Sequence, residues 1–156
     1  MAAVICYLDT SDLAPLFLPE ANSEAVAEFV RALPAGALAT SHWTRVEFSS
    51  LLARQRRMKI MSLDQTDSAE AMFDRLVAHS FRLFPTLVAD QLAAIEMLRR
   101  SETALRAPDA LHLAIARNRE CVKILSLDKS MIREGRLLGI QIGPGIDLEG
   151  YGWADL

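Results

Sequence analysis

The most constraining feature of this chain is where its apolar runs stop. Val4-Ile5-Cys6-Tyr7-Leu8 is a nearly continuous apolar run, and it ends in the polar cluster Asp9-Thr10-Ser11-Asp12, which suits a helix start. A run without polar alternation has to be covered on both faces, as a strand is inside a parallel sheet flanked by helices. Leu38-Ala39-Thr40 and residues 122–127 are of the same kind, the second closing on Asp128. Ile140-Gln141-Ile142 reads as an edge strand before the Gly143-Pro144-Gly145 stop.

Between these runs the periodicity is helical. Residues 23–31 place Ala25, Val26, Phe29 and Val30 on one face. Residues 44–57 open with Thr44-Arg45-Val46-Glu47, the spacing of a capping box. Residues 63–76, 86–100, 108–118 and 129–138 complete the set, with Pro108 suited to a first helical turn. Strands alternating with helices predict a layered α/β domain with a parallel sheet. No repeat, low-complexity tract or linker interrupts it. Residues 1–142 form the expected domain, and residues 143–156, with Tyr151 and Trp153 among glycines and acids, read as a C-terminal tail of loop.

A chain of 156 residues with 51% hydrophobic content can bury one sizeable core. Aromatics are only 6%, which excludes a base-stacking platform, and a net charge of −3 excludes a grip on nucleic acid through overall charge. Any such grip must be local. Cys6 and Cys121 sit in separate apolar runs and read as small buried hydrophobes suited to a reducing compartment. The first run lacks a basic flank and ends at Asp9, too short for a signal peptide or a membrane span. The expectation is a soluble cytoplasmic protein.

Four acids occupy element junctions: Asp9 and Asp128 where apolar strands close, Glu47 near the start of a helix after a short strand, and Asp109 one residue beyond Pro108. In open parallel sheets, ligands bind beyond the carboxyl ends of the strands, so residues at these junctions are the ones able to meet. Each acid taken singly has a structural explanation. Asp9 or Asp12 can cap a helix, Glu47 can complete a capping box, Asp109 can complement a helix dipole, and Asp128 can cap the helix from Lys129. The spacing permits convergence without requiring it.

In order and spacing, Leu8-Asp9-Thr10-Ser11, Trp43-Thr44-Arg45-Val46-Glu47, Arg106-Ala107-Pro108-Asp109-Ala110-Leu111-His112-Leu113-Ala114 and Leu125-Ser126-Leu127-Asp128 resemble the PIN-domain toxins of the VapC type. The resemblance spans residues 4–142, and Asp109 to Ala114 is its most specific piece. It implies a three-layer α/β/α sandwich and an acidic site that binds Mg2+ or Mn2+ and cuts RNA. Asp9, Glu47, Asp109 and Asp128 fall on the family's four acidic positions, while Thr10, Ser11 and Ser126 fall where hydroxyls orient the acids. Asp12 departs from the pattern, where a small apolar residue is usual, and reads as a helix cap. The resemblance also implies a protein antitoxin as partner and a homodimer, for which Leu16, Phe17, Leu18, Phe29 and Val30 could supply a groove or a face.

The chemistry accounts for the residue types. An anionic nucleophile must approach an anionic phosphate, which bare carboxylates would repel. Magnesium reverses the sign, prefers hard oxygen ligands and keeps waters that it can activate. Without metal, clustered carboxylates should push at least one pKa up. RNA must be held nearby, and the run Arg54, Arg56, Arg57 and Lys59, or Arg99, Arg100 and Arg106, could steer it; Arg45 could pair with Glu47 or contact phosphate. His112 shares the helical face of Asp109 but has no partner at metal spacing, so it reads as a hydrogen-bonded core histidine. An aspartyl-phosphate phosphatase would need an acid two residues after Asp9, where Ser11 stands. The alternatives left open are a catalytically silent module that binds RNA or protein, and a DNA nuclease of the same fold.

Overall fold

The structure, a computed structural model, describes residues 4–100 and 102–151. Its elements in chain order are β1 (Cys6–Leu8), α1 (Thr10–Leu13), a 3-10 turn (Ala14–Leu16), α2 (Ser23–Ala32), β2 (Leu38–Ser41), α3 (His42–Arg57), α4 (Leu63–Ser80), β3 (Arg82–Phe84), α5 (Val88–Leu98), α6 (Ala107–Asn118), β4 (Lys123–Leu125), α7 (Lys129–Leu137) and β5 (Ile142–Gly143). The five strands form one sheet in the order β3-β2-β1-β4-β5. Every pairing is parallel, with Tyr7 opposite Ala39 on one side and Ile124 on the other.

Alternation along the strands divides the core into two clusters, one on each side of the sheet. Tyr7 and Ile124 point to a layer where Ala94 and Met97 of α5, Leu113 and Ile115 of α6, and Met131 and Ile132 of α7 are buried. Cys6, Leu8 and Leu125 point to the other, with Leu13, Phe48 and Leu52 of the α1 and α3 segments and Ala69, Phe73 and Val77 of α4. There Phe48 stacks on Phe73 with ring centroids 4.3 Å apart, and Phe17 meets both edge-on. Helices cover both faces, which is the three-layer α/β/α sandwich expected.

The chain first winds from β1 outward through β2 to β3, then crosses back and continues through β4 to β5. The winding therefore reverses between β1 and β4, and beyond their carboxyl ends an α/β sheet of this kind opens a crevice. Asp9 follows β1 directly and Asp128 lies three residues beyond β4.

Three details depart from the sequence reading. The strand β3 was not anticipated; it is an edge strand of three residues, and α4 runs on past residue 76 to Ser80 before it. The N-cap of α3 is Ser41, whose side chain accepts a hydrogen bond from the Thr44 amide at 3.4 Å, so the expected Thr44–Glu47 capping box does not form. The packed body also continues past residue 142: Gly143 is in β5, Ile146 is buried, and the Tyr151 hydroxyl donates to the Lys129 carbonyl at 3.2 Å. Residues 152–156 of the expected tail, Trp153 among them, lie outside the described residues.

Candidate active site

Asp9 is the N-cap of α1, in extended backbone conformation, and its Oδ1 accepts from the Asp12 amide at 3.0 Å and from the Ser11 hydroxyl at 2.8 Å. Its Oδ2 accepts from the Ser126 hydroxyl at 2.6 Å. The two serines also join the strand ends: the Leu127 amide donates to Ser11 at 2.9 Å, and the Asp128 amide to Ser126 at 3.1 Å. Asp9 is only 4% exposed, and burial pushes its carboxyl above the usual aspartate range although His112 and these donors oppose the shift.

Because Ser41 caps α3, Glu47 lies in its second turn, free of capping duty, and faces the crevice. One oxygen, Oε2, receives the Thr10 hydroxyl and lies 2.5 Å from His112 Nε2. Partial burial pushes the Glu47 carboxyl up, but His112, Thr10 and the nearby Arg106 outweigh it and leave it below the usual glutamate range. His112 is 2% exposed, and its Nδ1 lies 2.8 Å from the Tyr7 hydroxyl, which in turn bonds Ser41 at 2.8 Å. A buried relay thus runs from the sheet interior to Glu47. His112 is the hydrogen-bonded histidine expected, but its partner is one of the four acids. Its place on the Asp109 face was visible in sequence, whereas the partner, 65 residues away, was not.

Asp109 sits in the first turn of α6, and Asp128 is the N-cap of α7, its Oδ1 accepting from the Ser130 and Met131 amides at 2.9 and 3.1 Å. Between them lies Arg106. Its Nε donates to Asp109 Oδ2 at 2.9 Å and its Nη2 to Asp128 Oδ2 at 2.7 Å. Burial pushes the Asp109 carboxyl up, with Asp128 adding to the effect and Arg106 opposing it. The expected rise in carboxylate pKa thus appears at Asp9 and Asp109, with desolvation rather than mutual repulsion as its main source.

All four acids, with Thr10, Ser11, Arg54, Arg106 and His112, line one cleft of about 590 Å³. The other arginines expected near RNA are elsewhere. Arg45 neither pairs with Glu47 nor reaches the cleft; it is bound to Asp74 of α4 at 2.9 Å, in a separate depression. Arg57 is exposed in the last turn of α3 and is not among the residues lining the cleft. Asp12, read as a cap, is not one: Asp9 caps α1, and the Asp12 carboxyl is 1% exposed with no hydrogen-bond partner among the described residues. Burial, then the charge of Asp9, pushes it well above the usual range.

The cleft offers hard carboxylate oxygens, the donor set that Mg2+ and Mn2+ prefer, and one cation, the Arg106 guanidinium, already bridges two of them. Among the described residues no three His, Cys, Asp or Glu side chains are gathered as tightly as metal ligands are. The donor chemistry fits a divalent cation, and the carboxylate oxygens that would face it are the ones now turned toward Arg106 and His112.

A model of the PIN domain matches residues 6–136. The chain belongs to the PIN-domain family. Among solved structures, this PIN-domain protein resembles VapC20 of Mycobacterium tuberculosis, described as a sarcin-ricin loop cleaving toxin, with a TM-score of 0.67 and 20% identity over 83% of this chain and 95% of that one. It resembles FitAcB of Neisseria gonorrhoeae with a TM-score of 0.66 and 15% identity over 90% and 98% of the two chains. VapBC-1 of nontypeable Haemophilus influenzae gives a TM-score of 0.66 and 14% identity over 90% and 98%. No curated protein matches by sequence. At these identities the structures establish a shared fold, that of VapC-type toxins. None of the described helices is long and apolar enough to cross a membrane.

Proposed function

We propose that this PIN-domain protein is a metal-dependent endoribonuclease, the toxin of a toxin-antitoxin pair acting in the cytoplasm. The observation that carries the reading is the meeting of Asp9, Glu47, Asp109 and Asp128 in one cleft at the point where the sheet's winding reverses. Those four carboxylates would hold Mg2+ or Mn2+, which supplies an activated water and charge neutralisation at the phosphate. The chain's own residues do the remaining work. Ser11 and Ser126 fix both oxygens of Asp9, and Thr10 and His112 fix one oxygen of Glu47, so two acids are aimed before substrate arrives. Arg54 and Arg106 give an acidic cleft two positive positions for the RNA backbone.

The likeness to FitAcB and VapBC-1, and the surface of this chain, support a protein antitoxin as partner. An apolar cavity of about 650 Å³ lies between the segment after the 3-10 turn and α4, bordered by Phe17, Leu18, Met61, Ala69 and Met72. A second shares Phe17 and Met72 and adds Leu16 and Val30 from the expected groove. Such a trough suits the apolar face of an amphipathic segment. For the homodimer, the exposed apolar residues Val88, Leu92 and Ile95 of α5, spaced at one face of a helix, are the surface we assign.

The test is cleavage of matched RNA and DNA oligonucleotides by purified protein and by Asp109→Asn, each with Mg2+, Mn2+ or EDTA. RNA cut by wild type alone, and only with metal, is the expected result. DNA cut in preference to RNA would assign the other sugar. RNA bound but left intact by both proteins would make the chain a silent binding module.

A further inference from the structure

We propose that Arg106 is an exchangeable counter-ion of the cleft: its guanidinium holds Asp109 and Asp128 together in the metal-free protein and releases them when a divalent cation enters. The inference rests on the reading of the cleft as a cation site. Two carboxylates from different elements, the start of α6 and the turn after β4, each give Oδ2 to the same side chain, at 2.9 and 2.7 Å. Asp128 has little freedom to do otherwise, because its Oδ1 is committed to two amides of α7. The oxygen that Asp128 can offer to a cation is thus the one Arg106 now occupies, and the two compete for it.

The exchange requires only a side-chain rotation. The Arg106 backbone is fixed: its carbonyl accepts from the Ala110 amide at 2.9 Å, and two residues earlier the Ala104 amide donates to the buried Glu134 at 2.8 Å. The side chain itself is 62% exposed, so its head is already hydrated, and of its two partners Asp128, at 30%, is also reached by water while Asp109, at 11%, is the more sheltered. A divalent ion at the same oxygens carries twice the charge and can displace it. The guanidinium remains tethered at the rim of the cleft, where its planar fork suits a phosphate. One residue would thereby stabilise the empty site and contact the backbone of the substrate in the loaded one.

The experiment is Mn2+ titration of metal-stripped protein followed by electron paramagnetic resonance, without RNA, on wild type, Arg106→Gln and Arg54→Gln. Arg106→Gln is expected to bind Mn2+ roughly two- to thirtyfold tighter than wild type, the range that two solvent-reached ion pairs represent. Arg54→Gln, which removes the same charge from the same cleft, should change affinity less. Equal gains in the two variants would reduce the effect to net charge and overturn the exchange, as would an unchanged or weaker affinity in Arg106→Gln. Failure of wild type to bind Mn2+ would overturn the metal reading itself, and the exchange with it. Should Arg106→Gln not fold, the Nε–Hε resonance of Arg106 in the wild type decides: it should move as Mg2+ saturates the site, and a resonance that stays fixed sinks the proposal.

Discussion

The Asp12 carboxyl is the least comfortable group in the molecule, buried one turn after Asp9 with both oxygens unpartnered among the described residues. Leaving a polar group of this size without a partner costs on the order of 1–3 kcal/mol. Asp12→Ala is therefore expected to raise the urea midpoint of the metal-free protein; a lower midpoint would mean that the carboxyl supports something essential. His112 is the opposite case, with each ring nitrogen engaged. His112→Ala should cost about 1–3 kcal/mol of stability and weaken Mn2+ binding by freeing Glu47. His112→Gln, able to bond at one of the two ends, should restore part of the binding loss, and identical affinities in both variants would remove His112 from any role in aiming Glu47. Asp9 and Asp128 stood out in sequence because they close apolar runs and Asp109 because it opens a helix, whereas Glu47, in the second turn of α3, was singled out with them by the family resemblance. Of their partners, the hydroxyls of Thr10, Ser11 and Ser126 were expected from the resemblance and do bond Glu47 and Asp9, but Arg106, reaching Asp128 across 22 residues, and His112, reaching Glu47 across 65, could not be paired with them, since such separations leave no periodic trace.

Among the elements, the central strands were legible because burial on both faces removes polar alternation, and β1 ends one residue before Asp9 as expected. The edge strand β3 was not, because an edge is paired along one side only, stays partly exposed, and so needs little apolar content. The start of α3 was misplaced for a different reason: Ser41 is at once the last residue of β2 and the cap of the helix, so no loop separates them. The segment after β5 was read as tail, yet Gly145 packs on α2. Its φ is +68°, and a Cβ there would stand 2.7 Å from the Phe29 ring. Gly145→Ala combines a left-handed backbone penalty with overpacking and is expected to destabilise the protein by roughly 2–4 kcal/mol in equilibrium unfolding. A loss below about 0.5 kcal/mol, the level of an ordinary surface change, would show that this turn is not held against α2.

For the whole molecule, the balance of carboxyl shifts sets how the metal-free protein responds to pH. A carboxyl whose pKa is higher folded than unfolded takes up a proton on folding, so the fold loses stability as pH rises from the unfolded value toward the folded one. Asp9, Asp12 and Asp109 are of this kind. Glu20 belongs with them, while Glu47, Asp90, Glu102 and Glu134 are lowered, and their contributions are present above the usual carboxylate range and lost as pH falls through the folded values. With EDTA present, the urea midpoint should therefore be higher at mildly acidic pH than at neutral pH, fall again at strongly acidic pH, and depend less on pH in Asp12→Ala. A profile that climbs steadily to neutrality would contradict these assignments. Saturating Mg2+ should reverse the neutral-pH deficit by mass action in wild type but not in Asp9→Asn, as a thermal melt would show.

The four carboxylates come from the first strand turn, the third helix, the sixth helix and the turn after the fourth strand, and the reversal of winding between β1 and β4 is what brings them face to face. A chain still leaving the ribosome carries Asp9 and Glu47 early, but it has no cleft until the segment through Asp128 has emerged and docked. Cleavage of the kind proposed therefore cannot begin on a nascent chain in which β4 and the turn to Asp128 have not yet joined the sheet.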